Sequence, residues 1–242
     1  MDRLRPYAAT QPRRFAEALA AATNEIIRRT PAPRDFPFFG LDHFPGADAR
    51  RLERLSELGI FRIYERVLDL SVGLGATARW LARRRGCSVV SFDPSSERAA
   101  ATRLLIARAH LDRAVAVGVA DPGKLPVGAA SFTHAWGVET LESADGASAI
   151  LAEIFRAVRP GGHVALQQSS PARVDGYVAA LVAAGFQDVR VVAAEEPEED
   201  EAAIVGILRA RVIELLGEPG SSEADRIEPH RSLVQLFARR PS

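Results

Sequence analysis

The chain has one cysteine, Cys87, one lysine, Lys124, and a single methionine, its first residue. One cysteine excludes an intrachain disulfide and any cysteine-based metal cluster. There is no excess of either charge: 31 Lys and Arg stand against 31 Asp and Glu. That removes the global electrostatic case for nucleic acid or a membrane surface as a partner. No run reaches the ~18 consecutive apolar residues of a membrane-spanning helix. Residues 1–14 carry charge but no apolar stretch or cleavage site, which reads as a chain without a secretory signal and makes a cytoplasmic location the expectation. The five histidines are scattered and none forms a pair at metal-ligand spacing, so no metal site is expected. The shortage of lysine touches almost every cation rather than one patch, and reads as compositional bias.

What the chain does have is a globular composition, 47% hydrophobic over 242 residues. That excludes a disordered or collagen-like chain. Residues 1–46 hold six prolines around one helical stretch at 14–29, where Phe15, Leu19, Ala22 and Ile26 recur at helical spacing. Pro31 and Pro33 end that helix. An aromatic loop follows at 36–46, containing Phe36, Phe38, Phe39, His43 and Phe44, and then a helix from about Asp48. The expected division is an N-terminal helix and aromatic lid segment, 1–46, ahead of an α/β domain, 47–242.

From Arg66 the rhythm alternates. Short apolar runs at 67–70, 88–92, 114–120, 131–136, 163–168 and 189–193 read as strands. Helices are expected at 76–85, from Ser95 to about His110, at about 144–158 and at 174–185. Ser95 is a suitable N-cap and Gly86 a suitable C-terminal glycine. An acidic run at 195–201 interrupts the pattern. A helical insertion follows at about 200–217, with Ile204, Ile207, Leu208, Val212 and Leu215 expected on its inner side, and a last strand lies at 232–239. Near-continuously apolar strands alternating with helices imply a parallel sheet covered on both faces. The fold class expected is therefore α/β, a Rossmann-like doubly wound, mostly parallel seven-stranded sheet with an N-terminal helical lid.

The informative unit is strand, glycine turn, helix, strand, acid. Asp69-Leu70-Ser71-Val72-Gly73-Leu74-Gly75 ends the first strand and opens a helix, and Asp93 ends the second strand 18 residues after Gly75. Glycines in such a turn let backbone approach a ligand closely, and an acid at that distance accepts from ribose hydroxyls. Both a nicotinamide dinucleotide and S-adenosylmethionine fit this outline. An anion at Asp69 is poor company for a pyrophosphate and good company for an amino group, which favours a cofactor with an amino-acid end.

At this point the chain resembles the class I S-adenosylmethionine-dependent methyltransferases, in their small-molecule, type 11-like branch. The resemblance runs from about residue 42 to 192 in collinear order. Arg66 to Gly75 is similar to the first motif, Ser91-Phe92-Asp93-Pro94-Ser95 to the ribose step and Ala120-Asp121 to the adenine motif. Arg159-Pro160-Gly161-Gly162-His163 and Ala184-Gly185-Phe186 resemble the turns before the fifth and sixth strands. It implies that Asp69, Ser71, Gly73 and Gly75 hold the methionine end. Asp93, with Pro94 beside it, binds the ribose, Asp121 accepts from the adenine amino group, and Pro122 or Leu125 packs on the ring. Trp136 is expected to line the cofactor pocket, where a ring face near a sulfonium gives a cation–π contact; packing at the strand end is the alternative. The chain departs from the family pattern at Ser71, where a glycine is usual, at Val72 and at Thr133.

Two residues are candidates for catalysis. His43 stands at the pocket mouth as a base or substrate contact, against a loop histidine bonded to backbone. Glu139, after the fourth strand, orients an amine or accepts a proton, against a solvated loop acid. His134 reads as a satisfied core histidine. The expectation is S-adenosylmethionine-dependent methylation of an O, N or C atom of a small organic molecule, by a monomer or homodimer with no nucleic-acid or membrane partner. The alternative is a methyltransferase-like domain without methyl transfer, either a binding or scaffold subunit or a non-methylating enzyme reusing the pocket.

Overall fold

A computed structural model describes residues 11–29, 49–71, 73–141, 144–168, 171–193, 199–217 and 233–242. Helix α1 (Pro12–Arg29) starts on a proline, which suits the first helical position because its missing N–H has no intrahelical partner there. Helix α2 (Ala49–Leu58) leads into β1 (Arg66–Asp69). Then come α3 (Ala76–Arg85), β2 (Ser88–Asp93), α4 (Ser96–Arg108), β3 (Val115–Val119), β4 (Phe132–Val138) and α5 (Ala144–Ala157). The chain closes with β5 (Val158–Gln168), α6 (Val174–Ala183), β6 (Gln187–Ala193), α7 (Glu199–Leu216) and β7 (Val234–Arg239). Gly86 ends α3 in the left-handed region, and the Ser95 side chain caps α4 by accepting from the Arg98 N–H, both as the sequence implies.

The seven strands form one sheet in the order β3-β2-β1-β4-β5-β7-β6. The first five pair in parallel, and β7 inserts antiparallel between β5 and β6. The chain therefore moves outward from β1 to β3, then returns to lay β4 on the other side of β1. That reversal opens a crevice at the carboxyl ends of β1 and β4, the usual ligand position in such sheets. One face is covered by α2 and α3, which bury Leu52, Leu55, Trp80 and Leu81 against Val67, Trp136 and Phe237. The opposite face carries α5 and α6 over Leu68, Phe132, Leu166 and Leu236.

A third core lies among helices. Phe15, Leu19, Ala22 and Ile26 of α1 pack with Leu105 of α4 and with Leu208, Val212 and Leu216 of α7. Each large side chain buried there contributes about 1.5–3 kcal/mol. Arg14 donates to the Leu216 carbonyl at 2.9 Å, and Arg211 pairs with Glu25 at 2.9 Å. The apolar stripe expected on α1 is thus in place, but that on α7 is rotated. Leu216 is buried while Ile207 and Leu215 are exposed, because α7 presents to α1 the i, i+4, i+8 row starting at Leu208. The aromatic segment 36–46, with His43, lies outside the described residues.

Near the amino ends of the strands sits a buried cluster. Glu65 Oε2 lies 3.1 Å from His134 Nδ1, and His134 stacks on His163 at 5.3 Å between centroids. Cys87 is buried at this edge and donates to the Arg62 carbonyl; burial, then the nearby Glu65 charge, pushes its thiol up to about 12. It is an inert structural thiol, consistent with its expected place away from the glycine turn. Burial lowers His134 to about 4, His163 and Arg159 add to that, and Glu65 opposes it. An unfolded histidine titrates near ~6.5, so the folded chain binds this proton less readily. The stabilisation is full above that value and is lost as pH falls toward about 4. The urea midpoint is expected to fall across this interval, and to fall less steeply in His134→Phe; equal slopes in the two proteins would contradict the assignment.

Candidate functional site

The glycine turn leaves β1 at Asp69, which is completely buried. Asp69 Oδ1 accepts from the Ser71 hydroxyl and from the Ser71 N–H at 3.1 Å, with the Thr77 hydroxyl at 3.5 Å. Its Oδ2 is sealed from solvent without a well-formed hydrogen bond. Burial raises the carboxyl above its usual range, while Ser71, Ser91 and Thr77 pull it back. A buried carboxylate with an incompletely satisfied oxygen is costly unless a cationic donor completes it. The site therefore suits an ammonium group.

Ser71 has a role that the sequence does not reveal. Its hydroxyl donates to Asp69 and accepts from the Val138 N–H at 3.1 Å. The side chain that replaces the usual glycine is turned inward and staples the end of β1 to the end of β4. Gly73 and Gly75 both have positive φ, at 114° and 71°. At Gly75 an added Cβ would also meet the Thr102 methyl at 2.5 Å, so the turn needs glycine for its conformation and for close packing on α4. Between them Leu74 is buried in the α1–α4–α7 core. The helical layer thus holds the turn in place.

Arg79 is a residue that sequence reasoning passed over. It lies fully buried one turn into α3 and donates from Nη1 to the Leu74 carbonyl at 2.6 Å. That places a permanent cation directly beneath the glycine turn. The only signal in the sequence is an arginine four residues after Gly75, which on a helix returns to the same face as the turn.

Asp93 ends β2. Asp69 pairs in register with Ser91, so Asp93 projects two residues farther along the same edge, roughly 6.6 Å. Its Oδ1 accepts from the Ser95 N–H at 2.7 Å, and its carboxylate is gripped by Arg98. Pro94 follows it at the exposed edge. Asp121 lies just beyond β3, beside Asp93 through the Ala120 N–H to Asp93 carbonyl bond. It is exposed, and its Oδ1 caps its own loop at the Gly123 N–H, 2.7 Å. Pro122 is half-buried and Leu125 is buried. Glu153 fixes this loop by accepting from the Leu125 N–H at 2.9 Å, while Arg156 holds its carbonyls.

Glu139 lies immediately after β4. It is buried, with a left-handed φ of 57°. A non-glycine residue in that region carries backbone strain, which concentrates at ligand sites. Asp69, Ser71, Gly73, Gly75, Asp93, Pro94, Asp121, Pro122 and Glu139 thus share one edge of the sheet. Trp136 does not join them. Its ring is fully buried, stacked with Trp80 at 6.3 Å and edge-on to Phe61 at 5.1 Å. Asp69 and Trp136 are register partners and share a face of the sheet, and on that face the indole is covered by α2 and α3. This corrects the expectation that it lines the pocket. A cavity of about 190 Å³ opens at the opposite edge, beside His163, Asp188, Arg190 and Arg239. Arg239 is paired there with Asp188 and Arg190 lies over Phe237, so it is remote from the glycine turn and already satisfied. Among the described residues no cluster of histidine, cysteine and acids could hold a metal ion, and no helix is long and apolar enough to cross a membrane.

Residues 68–166 match the family model of a methyltransferase domain, so the resemblance to class I methyltransferases is borne out over that segment. The chain is 29% identical over 146 residues to methyltransferase GfsG of Streptomyces halstedii, covering 60% of this chain and 52% of that protein. It spans about half the length of the curated relatives it matches, or less. Among solved structures it is similar to the [4+2]-cyclase SpnF, with a TM-score of 0.61 at 19% identity over 79% of this chain and 81% of that one. It is also similar to a sarcosine dimethylglycine methyltransferase from Galdieria sulphuraria, with a TM-score of 0.58 at 17% identity over 79% and 84%. These likenesses bear out the Rossmann-like fold.

The Ser71 staple has a measurable weight. Ser71→Ala leaves the Val138 N–H and Asp69 each short of a partner, and is expected to lower unfolding free energy by about 1–3 kcal/mol. Urea denaturation measures it; an unchanged midpoint would mean that water replaces the hydroxyl at no cost.

Proposed function

We propose, from the methyltransferase-domain match and the fold, that this chain is an S-adenosylmethionine-dependent methyltransferase acting on an O, N or C atom of a small organic molecule. The observation that carries the reading is the buried, incompletely satisfied carboxylate of Asp69 at the glycine turn, in the crevice where the strand order reverses. The cofactor would supply the activated methyl group, so the protein's task is to position the partners and exclude water.

Each residue has a physical role in that task. Asp69 offers its sealed oxygen to the amino group, and Gly73 and Gly75 let backbone approach the amino-acid end. Arg79 places its positive charge under the turn, on the side where a carboxylate would lie. Asp93 accepts from the ribose hydroxyls. Asp121 accepts from the adenine amino group beside Pro122. Ser71 keeps β1 and β4 at their spacing beside the methionine end. Trp136 acts from below, holding β4 beside Asp69. Glu139 orients the nucleophile or takes its proton, and His43 is the second candidate for that task. The acceptor is a small molecule, the working unit a monomer or homodimer, and the location cytoplasmic. Residues 1–46 act as a cover and 47–242 as the catalytic domain, with the 200–217 helix as its insertion.

A second reading is favoured by two observations. The fold is shared with a [4+2]-cyclase, and in this chain Asp93 is already engaged by Arg98. A non-methylating enzyme reusing the same pocket would be the result. Calorimetric titration with S-adenosylmethionine and S-adenosylhomocysteine separates the readings from the absence of a site. Intact protein is expected to bind both, and Asp93→Ala to bind at least about tenfold more weakly, since a charge-assisted contact is worth about 1.5–3 kcal/mol. No binding by intact protein overturns the proposal. Binding with no methyl transfer across broad acceptor mixtures supports the second reading.

A further inference from the structure

We infer that Arg98 is an internal competitor for the ribose carboxylate, so that an adenosine cofactor must displace a built-in cation to be held in full. The inference rests on the proposed cofactor but concerns a residue outside its expected contacts. Arg98 Nε donates to Asp93 Oδ2 at 2.9 Å, and Nη2 lies 2.8 Å from Oδ1. The Ser95 N–H donates to the same Oδ1 at 2.7 Å. A carboxylate offers about four lone-pair sites. The guanidinium and the Ser95 N–H fill both on Oδ1 and one on Oδ2. A ribose diol presents two hydroxyl donors, and one site is left. Asp93 takes both only when one of the two guanidinium contacts opens.

The position of Arg98 argues that the pair is not a by-product of helix design. With Ser95 as N-cap, Arg98 is the third residue of α4. A cation in the first turn opposes the helix dipole, and the residue that completes a capping box there is Glu or Gln. Arginine at this place weakens the helix start, and the contact it gains is Asp93. The pair is also only partly sheltered, with side-chain exposures of 32% for Arg98 and 16% for Asp93. The guanidinium has an open route to water, so exchange requires a rotamer change and no backbone movement. Binding then becomes an exchange, in which the ion pair opens, Arg98 is solvated and the diol takes its place. The energy of the pair is subtracted from the affinity.

Calorimetric titration with S-adenosylhomocysteine tests this, because that probe carries no net charge and salt acts mainly on the protein's own pair. Arg98→Gln and Arg98→Met are expected to bind it about two- to fivefold more tightly than the wild type, the upper part of the range for a partly exposed ion pair. Raising sodium chloride is expected to tighten binding by the wild type and to leave the two variants without that gain. A merely structural arginine would give neither the tighter binding nor the salt effect. Affinity in both variants equal to or weaker than wild type overturns the inference while leaving the cofactor reading intact. Absence of binding by the wild type and by both variants overturns the cofactor reading itself.

Discussion

The carboxylate of Asp69 has no exposed surface, and the surrounding chain is arranged around the cost of keeping it there. Ser71 meets one oxygen twice, through its hydroxyl and its N–H, and Thr77 approaches from the first turn of α3. The same Ser71 hydroxyl reaches across to the Val138 N–H. The end of β1, the glycine turn, the start of α3 and the end of β4 are therefore joined through a single acid. A buried charge with an oxygen left short is unstable in isolation. Its persistence at a strand end, in the crevice of a doubly wound sheet, is intelligible as preparation for a cationic ligand group.

Two of the departures from the family pattern, Ser71 and Thr133, have structural explanations. Ser71 turns inward as a staple. Thr133, where an acid is usual, bonds the Arg66 N–H at 3.0 Å and donates to the Arg66 carbonyl at 3.1 Å, stitching the first residue of β1 to β4. Both substitutions act at the β1–β4 seam, one at each end. That seam is where the strand order reverses, so it fixes the width of the crevice. Neither change removes an acid that the cofactor would need.

The helices α1, α4 and α7 form a core of their own, and Leu74 is its link to the glycine turn. Chain segments far apart in sequence thereby hold the ligand loop from outside while Asp69 holds it from inside. α4 serves twice. Thr102 packs against Gly75, and Arg98 occupies Asp93. A single helix thus packs against the glycine turn and engages the acid at the end of β2.

The alternation of strands and helices, the glycine turn, the order of the three acids, the Ser95 cap and the Gly86 stop were all legible in the sequence. These are local properties, written in side-chain period, in backbone conformations open to glycine, and in short-range caps. The sequence was also enough to mark His134 as a core residue and to separate Cys87 from the ligand edge. Packing between segments set which way the side chains at those positions face and what they meet. Cover by α2 and α3 put Trp136 in the core, and the packing of α1 selected Leu208, Val212 and Leu216 over Ile207 and Leu215 on α7. β7 slipped antiparallel between β5 and β6, and Arg79 and Arg98 found partners through the folding back of their helices onto the turn and β2. The reason is physical: a residue's conformation is set largely by its neighbours in the chain, whereas its partners depend on register and packing between segments that the chain brings together only when it folds.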